Sequence, residues 1–64
     1  MGGAKGVEVR PNSIRFTFLP GKPTLMDGDV PMRPTASNVN RANRLAAEIR
    51  EKLKWGTFSM AEYF

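Results

Sequence analysis

Ser13-Ile14-Arg15-Phe16-Thr17-Phe18 alternates strictly between polar and apolar side chains, and that alternation decides the fold. Successive side chains on a strand point to opposite faces, so Ile14, Phe16 and Phe18 share one face while Ser13, Arg15 and Thr17 share the other. One face is suited to burial and the other to water. Just upstream, Val7 and Val9 alternate with Glu8 and Arg10 as a second strand, with Pro11-Asn12 as punctuation between the two. Downstream, Pro20-Gly21 is a strong turn signal, after which Lys22 to Met26 reads as a returning third strand. Pro23 has no N–H to give to a ladder, so that strand must be an edge or bulged. Asp27-Gly28-Asp29 forces another turn, and residues 27 to 34, with Pro31 and Pro34, read as a connecting loop.

From Thr35 the period becomes helical. Val39, Ala42, Ala46, Ile49 and Leu53 recur at spacings of three, four, three and four, with Leu45 widening the stripe into one apolar face. Thr35 or Ser37 can cap the first free N–H groups, and Gly56 after Lys52 and Lys54 marks the end. Arg44 with Glu48, and Glu48 with Lys52, stand four apart and are expected to pair on the solvent face. Beyond Gly56, Ser59 and Glu62 have the capping-box spacing for one short final helical turn. The strands need the helical stripe to cover their apolar side, so the stripe reads as core. Trp55 and Tyr63 are likewise assigned to the core in preference to base stacking, because stacking modules carry aromatics on an exposed sheet face. The end on Tyr63-Phe64 reads as a segment of a longer protein.

The chain has 64 residues, enough for one domain with a small core. Residues 1 to 6, with Gly2, Gly3 and Gly6, read as a flexible arm carrying Lys5, and residues 7 to 64 as the folded unit. Hydrophobic residues make up 41% and charged residues 25%, a globular balance rather than that of a disordered tail. Cysteine and histidine are absent, which removes disulfides, thiolate and imidazole metal ligands and the usual neutral-pH base. No metal and no cofactor is expected. No apolar run approaches the roughly 18 residues of a membrane span, and the N-terminus lacks a signal-peptide core, so a cytoplasmic setting without a membrane partner is expected.

The net charge of +4 favours an anionic partner. The carboxylates are scattered over a strand (Glu8), a turn (Asp27, Asp29) and the helix (Glu48, Glu51), so no acid and base pair is expected and no small-molecule substrate. Gly2-Gly3-Ala4-Lys5-Gly6 lacks the Gly-Lys-Ser/Thr ending of a phosphate loop. The better constellation is the wet face of the sheet: Arg10, Ser13, Arg15 and Thr17, with Lys22 just past the turn. Guanidinium forks read guanine edges or clamp phosphates, hydroxyls bond phosphate, and a β-ribbon is narrow enough for the major groove. Glu8 and the Asp27-Gly28-Asp29 turn count against a uniformly basic face. The competing readings are solvated strand positions with no ligand, or a small basic protein-interaction module that uses a helix face or a sheet edge.

The order of motifs resembles a known family. Gly6-Val7-Glu8-Val9-Arg10, Asn12 to Phe18, Pro34-Thr35, Asn38, Ala42, Ala47-Glu48-Ile49 and the ending Gly56-Thr57-Phe58 with Ala61-Glu62-Tyr63-Phe64 are similar to the N-terminal arm-type DNA-binding domain of phage integrases, of the tyrosine recombinase family. The resemblance runs from Gly6 to Phe64. It implies an α+β fold, a three-stranded antiparallel sheet packed against one long C-terminal helix, with the sheet in the major groove of double-stranded DNA at arm-type attachment sites. It also implies a non-catalytic module, monomeric by itself, in a parent integrase that is oligomeric on DNA. The family's nucleophilic tyrosine belongs to a separate catalytic domain, so Tyr63 is not that residue. The chain departs from the usual pattern at Gly21-Lys22-Pro23-Thr24, where more charge is common, and in a longer, more acidic stretch from Met26 to Arg33.

Overall fold

The alternating segments close a hairpin in the computed structural model, which describes residues 5–64. Strands β1 (Val7–Val9) and β2 (Ile14–Phe16) run antiparallel, with Val7 opposite Phe16, Glu8 opposite Arg15 and Val9 opposite Ile14. The Arg10 N–H donates to the Ser13 carbonyl at 2.9 Å across the Pro11-Asn12 turn, and the Thr17 N–H donates to the Gly6 carbonyl at 2.8 Å at the other end. β2 ends at Phe16, two residues short of the expected limit, because Thr17 and Phe18 already bend toward the Pro20-Gly21 turn. There the Lys22 N–H closes onto the Leu19 carbonyl at 3.1 Å.

The expected three-stranded sheet is replaced by two two-stranded sheets. Lys22 to Met26 does return beside β2, but only Thr24 bridges Arg15. Pro23 offers its carbonyl to the Phe16 N–H at 2.9 Å and has no N–H to return, while the Leu25 N–H reaches the Ile14 carbonyl at 2.8 Å. Then the chain turns away. β3 (Met26–Asp27) pairs with β4 (Val30–Pro31) across Gly28-Asp29, so a small hairpin stands where a plain connecting loop was expected.

Helix α1 (Ala36–Trp55) spans 20 residues. Thr35, rather than Ser37, is its cap: the Thr35 hydroxyl accepts the Asn38 N–H at 3.2 Å. At the other end Gly56 takes a φ of 72°, and the Gly56 and Thr57 N–H groups turn back to the Leu53 and Lys52 carbonyls. That double return needs a left-handed residue, which glycine adopts without a Cβ penalty. The core joins Val7, Ile14, Phe16, Leu19 and Leu25 with Val39, Ala42, Ala46 and Ile49 of α1. Ile14, Phe16 and Ile49 are fully buried, and side chains of this size contribute about 1.5–3 kcal/mol each on burial.

The apolar stripe is shorter than expected. Leu45 is half-buried and Leu53 is exposed. A helix of 20 residues is about 30 Å long, whereas strands of three residues reach only about 10 Å, so the last turns of α1 overhang the sheet. A second helix, α2 (Met60–Tyr63), folds back against that overhang. The Tyr63 hydroxyl donates to Glu48, and Lys52 pairs with Glu62 at 3.3 Å. These contacts replace the expected Arg44–Glu48 and Glu48–Lys52 pairs, neither of which forms, because α2 offers Glu48 and Lys52 partners from outside α1. Glu62 therefore does not complete a capping box, and the Ser59 side chain makes no capping bond. By accepting the Tyr63 hydrogen bond, Glu48 holds that phenol above its ordinary value, and Tyr63 and Glu62 together raise Lys52.

Candidate nucleic-acid interface

Arg15 lies at the centre of β2, on the face opposite Ile14 and Phe16, with Glu8 across from it on β1 and Thr24 bridged on its other side. With backbones about 4.8 Å apart, the row Glu8–Arg15–Thr24 is roughly 10 Å wide, against about 12 Å for the major groove. Arg15 Nε donates to Glu8 Oε1, and Arg10 Nη1 reaches the same oxygen at 3.2 Å. The Arg15 contact, and after it that of Arg10, holds the Glu8 carboxyl below its ordinary value, so it is charged at neutral pH. One carboxylate thus offsets part of two guanidinium charges. All three side chains stay open to solvent, with 31%, 39% and 48% of the Arg15, Glu8 and Arg10 surfaces exposed, so the pairs orient more than they stabilise.

The other expected site residues are arranged around this row. Ser13 and Thr17 flank Arg15 two positions away on either side, both half-buried, and neither hydroxyl is engaged among the described residues. Lys22 is exposed at the end of the Pro20-Gly21 turn, with a φ of 45°. The structure therefore brings Arg10 and Arg15 together through Glu8, with Ser13 and Thr17 beside them, and places Lys22 on a turn past the strand ends. Glu8, which the sequence reading set against a basic face, is the hub of that face. Thr24 was not singled out at all. For Glu8 the sequence carried the turn at Pro11-Asn12 but not the register, and it is the pairing of Val9 with Ile14 in the closed hairpin that puts Glu8 opposite Arg15.

Trp55 is 68% exposed, not a core residue. Its indole N–H donates to Glu51 at 2.8 Å, and the Lys54 ammonium sits 5.6 Å from the ring centre. It is carried on the overhanging end of α1, beyond the reach of the strands. Tyr63 is half-buried, stacked on Phe58 with ring centres 5.7 Å apart. Of the helix cations, Arg50 is committed elsewhere: it lies over the Phe18 ring at 4.7 Å and donates to the Lys5 carbonyl. The arm expected over residues 1 to 6 falls mostly outside the described residues, but Lys5 and Gly6 are tied down, by Arg50 and by the Thr17 N–H.

The chain is a basic α+β unit with a wet, arginine-bearing hairpin face on one side and a helix on the other, and its positive charge suits an anionic partner. The model of the Arm DNA-binding domain family matches residues 4–64, and the chain belongs to that family, an arm-type DNA-binding domain found in phage integrases. Among curated proteins and among solved structures, nothing matches it.

Proposed function

We propose that this chain is the N-terminal module of a phage or prophage site-specific integrase of the tyrosine recombinase type, binding double-stranded DNA at arm-type attachment sites. The Glu8–Arg15–Thr24 face enters the major groove. Arg15 reads a base edge, Arg10 and Lys22 neutralise phosphates, and the Ser13 and Thr17 hydroxyls bond phosphate oxygens. The observation that carries the reading is the position of Arg15: central in the sheet, partly open, and directly opposite the buried core, in a chain of the Arm DNA-binding family. The module is not itself catalytic; cutting and rejoining fall to other domains of the parent. The Tyr63 hydroxyl is engaged with Glu48 of α1, and Tyr63 stacks on Phe58, which is a structural role at the helix overhang. The module is monomeric alone, the parent assembles on DNA, and both act in the bacterial cytoplasm at the nucleoid.

The test is a titration of the chain against a duplex it selects from a randomised pool and against a scrambled duplex, at two salt concentrations. Arg15→Ala should weaken binding to the selected duplex by about 1–3 kcal/mol and binding to the scrambled one by less. Lys22→Ala should weaken both alike and reduce the salt slope by about one unit. A folded triple variant at Arg10, Arg15 and Lys22 that binds as tightly as the parent would remove the sheet from the interface. A parent with no affinity for either duplex would favour the protein-interaction reading, for which exposed Leu53 and Trp55 are the natural surface.

A further inference from the structure

We propose that Glu8 is a positioning residue for recognition: its carboxylate holds the Arg15 guanidinium by Nε, so that the two terminal nitrogens face a guanine edge as a preformed fork. The inference rests on the reading of the β1–β2 face as the DNA-contacting surface. Four observations converge on it. The register places Glu8 and Arg15 directly opposite each other, at the centre of the hairpin. The contact uses Nε, the nitrogen that a guanine fork does not need, and the terminal nitrogens of Arg15 have no partner among the described residues. Arg10 Nη1, two residues further along the chain, reaches the same carboxylate oxygen at 3.2 Å and gives Glu8 a second hold. Glu8 Oε2 is likewise without a partner among the described residues, so nothing else draws the carboxylate away.

An acid on a DNA-facing surface opposes phosphate attraction, so bulk charge does not account for Glu8 there. Orientation does. A long arginine side chain loses rotamer freedom when it docks, and a partner that already holds the guanidinium plane reduces that loss. The two terminal N–H groups then match guanine O6 and N7, a pairing whose discrimination depends on angle as well as distance. The competing role for Glu8 is a cross-strand ion pair that only steadies the hairpin.

Glu8→Gln and Glu8→Ala separate the two roles, because both remove the negative charge while only Gln keeps an acceptor oxygen near Nε. With the selected and scrambled duplexes, both variants should bind the scrambled duplex more tightly than the parent does, and to the same extent. Glu8→Ala should lower the selected-to-scrambled affinity ratio by about tenfold or more, whereas Glu8→Gln should retain most of it. In the free protein, the Arg15 Nε–H resonance should move and exchange faster with water in Glu8→Ala than in the parent. If Ala loosens the hairpin in thermal melts, Glu8→Thr takes its place, a better strand former with a side chain too short to reach Nε. An unchanged ratio in the truncated variant, or an equal fall in both variants, overturns the positioning role and leaves DNA binding standing. A parent that binds the two duplexes equally overturns base reading by Arg15 and the positioning role with it, and a parent that binds neither overturns the DNA-contacting face itself.

Discussion

The two hairpins have the same backbone pattern and opposite fates. In β1–β2 the strands bury Val7, Ile14 and Phe16 beneath α1; in β3–β4, Met26 and Val30 remain 50% and 58% exposed. Antiparallel pairing is common to both, so the ladder is not what makes a hairpin part of the core. The difference lies in whether the alternating residues meet an apolar face on another element. β1–β2 meets the Val39–Ile49 stripe, whereas β3–β4 contributes no buried residue. The buried face of β1–β2 fixes the register that sets Glu8 and Arg15 opposite each other on its wet face.

The comparison is broken most severely at Phe16. Phe16→Ala should destabilise the domain by about 3 kcal/mol or more in thermal or urea denaturation, because a chain this small cannot refill the cavity. Val30→Ala in the other hairpin should stay within about 0.5 kcal/mol. Equal losses at the two positions would overturn the distinction. On α1, Ile49→Ala should cost about 2 kcal/mol or more, and Leu53→Ala, on the overhanging turn, clearly less in the same assay.

Gly6 leads directly into β1 at a φ of 87°, with the Arg50 guanidinium and Phe18 ring where a side chain would project. Gly6→Ala should therefore destabilise by about 1 kcal/mol or more. Gly28→Ala in the β3–β4 turn meets no neighbour, so it should cost less than Gly6→Ala. The smallest effect concerns acid. The folded state holds the Glu8 carboxyl below its ordinary 4.5, so its contribution is present above that value and lost as pH falls through the lower folded value. Melting temperatures of the parent and Glu8→Gln should accordingly converge as pH drops below 4.5, and a gap independent of pH would argue that the pair adds nothing.

Much of this was legible locally. The β1–β2 hairpin, the helix with its Gly56 end and a cap at Thr35 or Ser37, and the set Ile14, Phe16, Val39, Ala42, Ala46 and Ile49 follow from period and capping chemistry, which involve residues close in the chain; the structure chose Thr35. The resemblance carried by the same motifs is matched by membership of the Arm DNA-binding family. The third strand was half legible: Pro23 announced a defective edge, but the diversion of Met26–Asp27 into its own hairpin depends on what Val30–Pro31 offers as a partner.

The candidate interface divides in the same way. That Arg15 stands on the wet face, and that the chain is basic, were determined by the sequence alone, since alternation and charge are counted along it. That Glu8 binds Arg15 and Arg10 at once was decided by register, a relation between segments that only the closed hairpin sets. Trp55, Leu53 and the Glu48–Tyr63 and Lys52–Glu62 contacts were decided by length: α1 outruns the strands, so an apolar residue at the right helical phase finds no sheet beneath it and charged ones find α2 instead. Phase is a property of the chain. Burial is a property of what the folded chain brings opposite it.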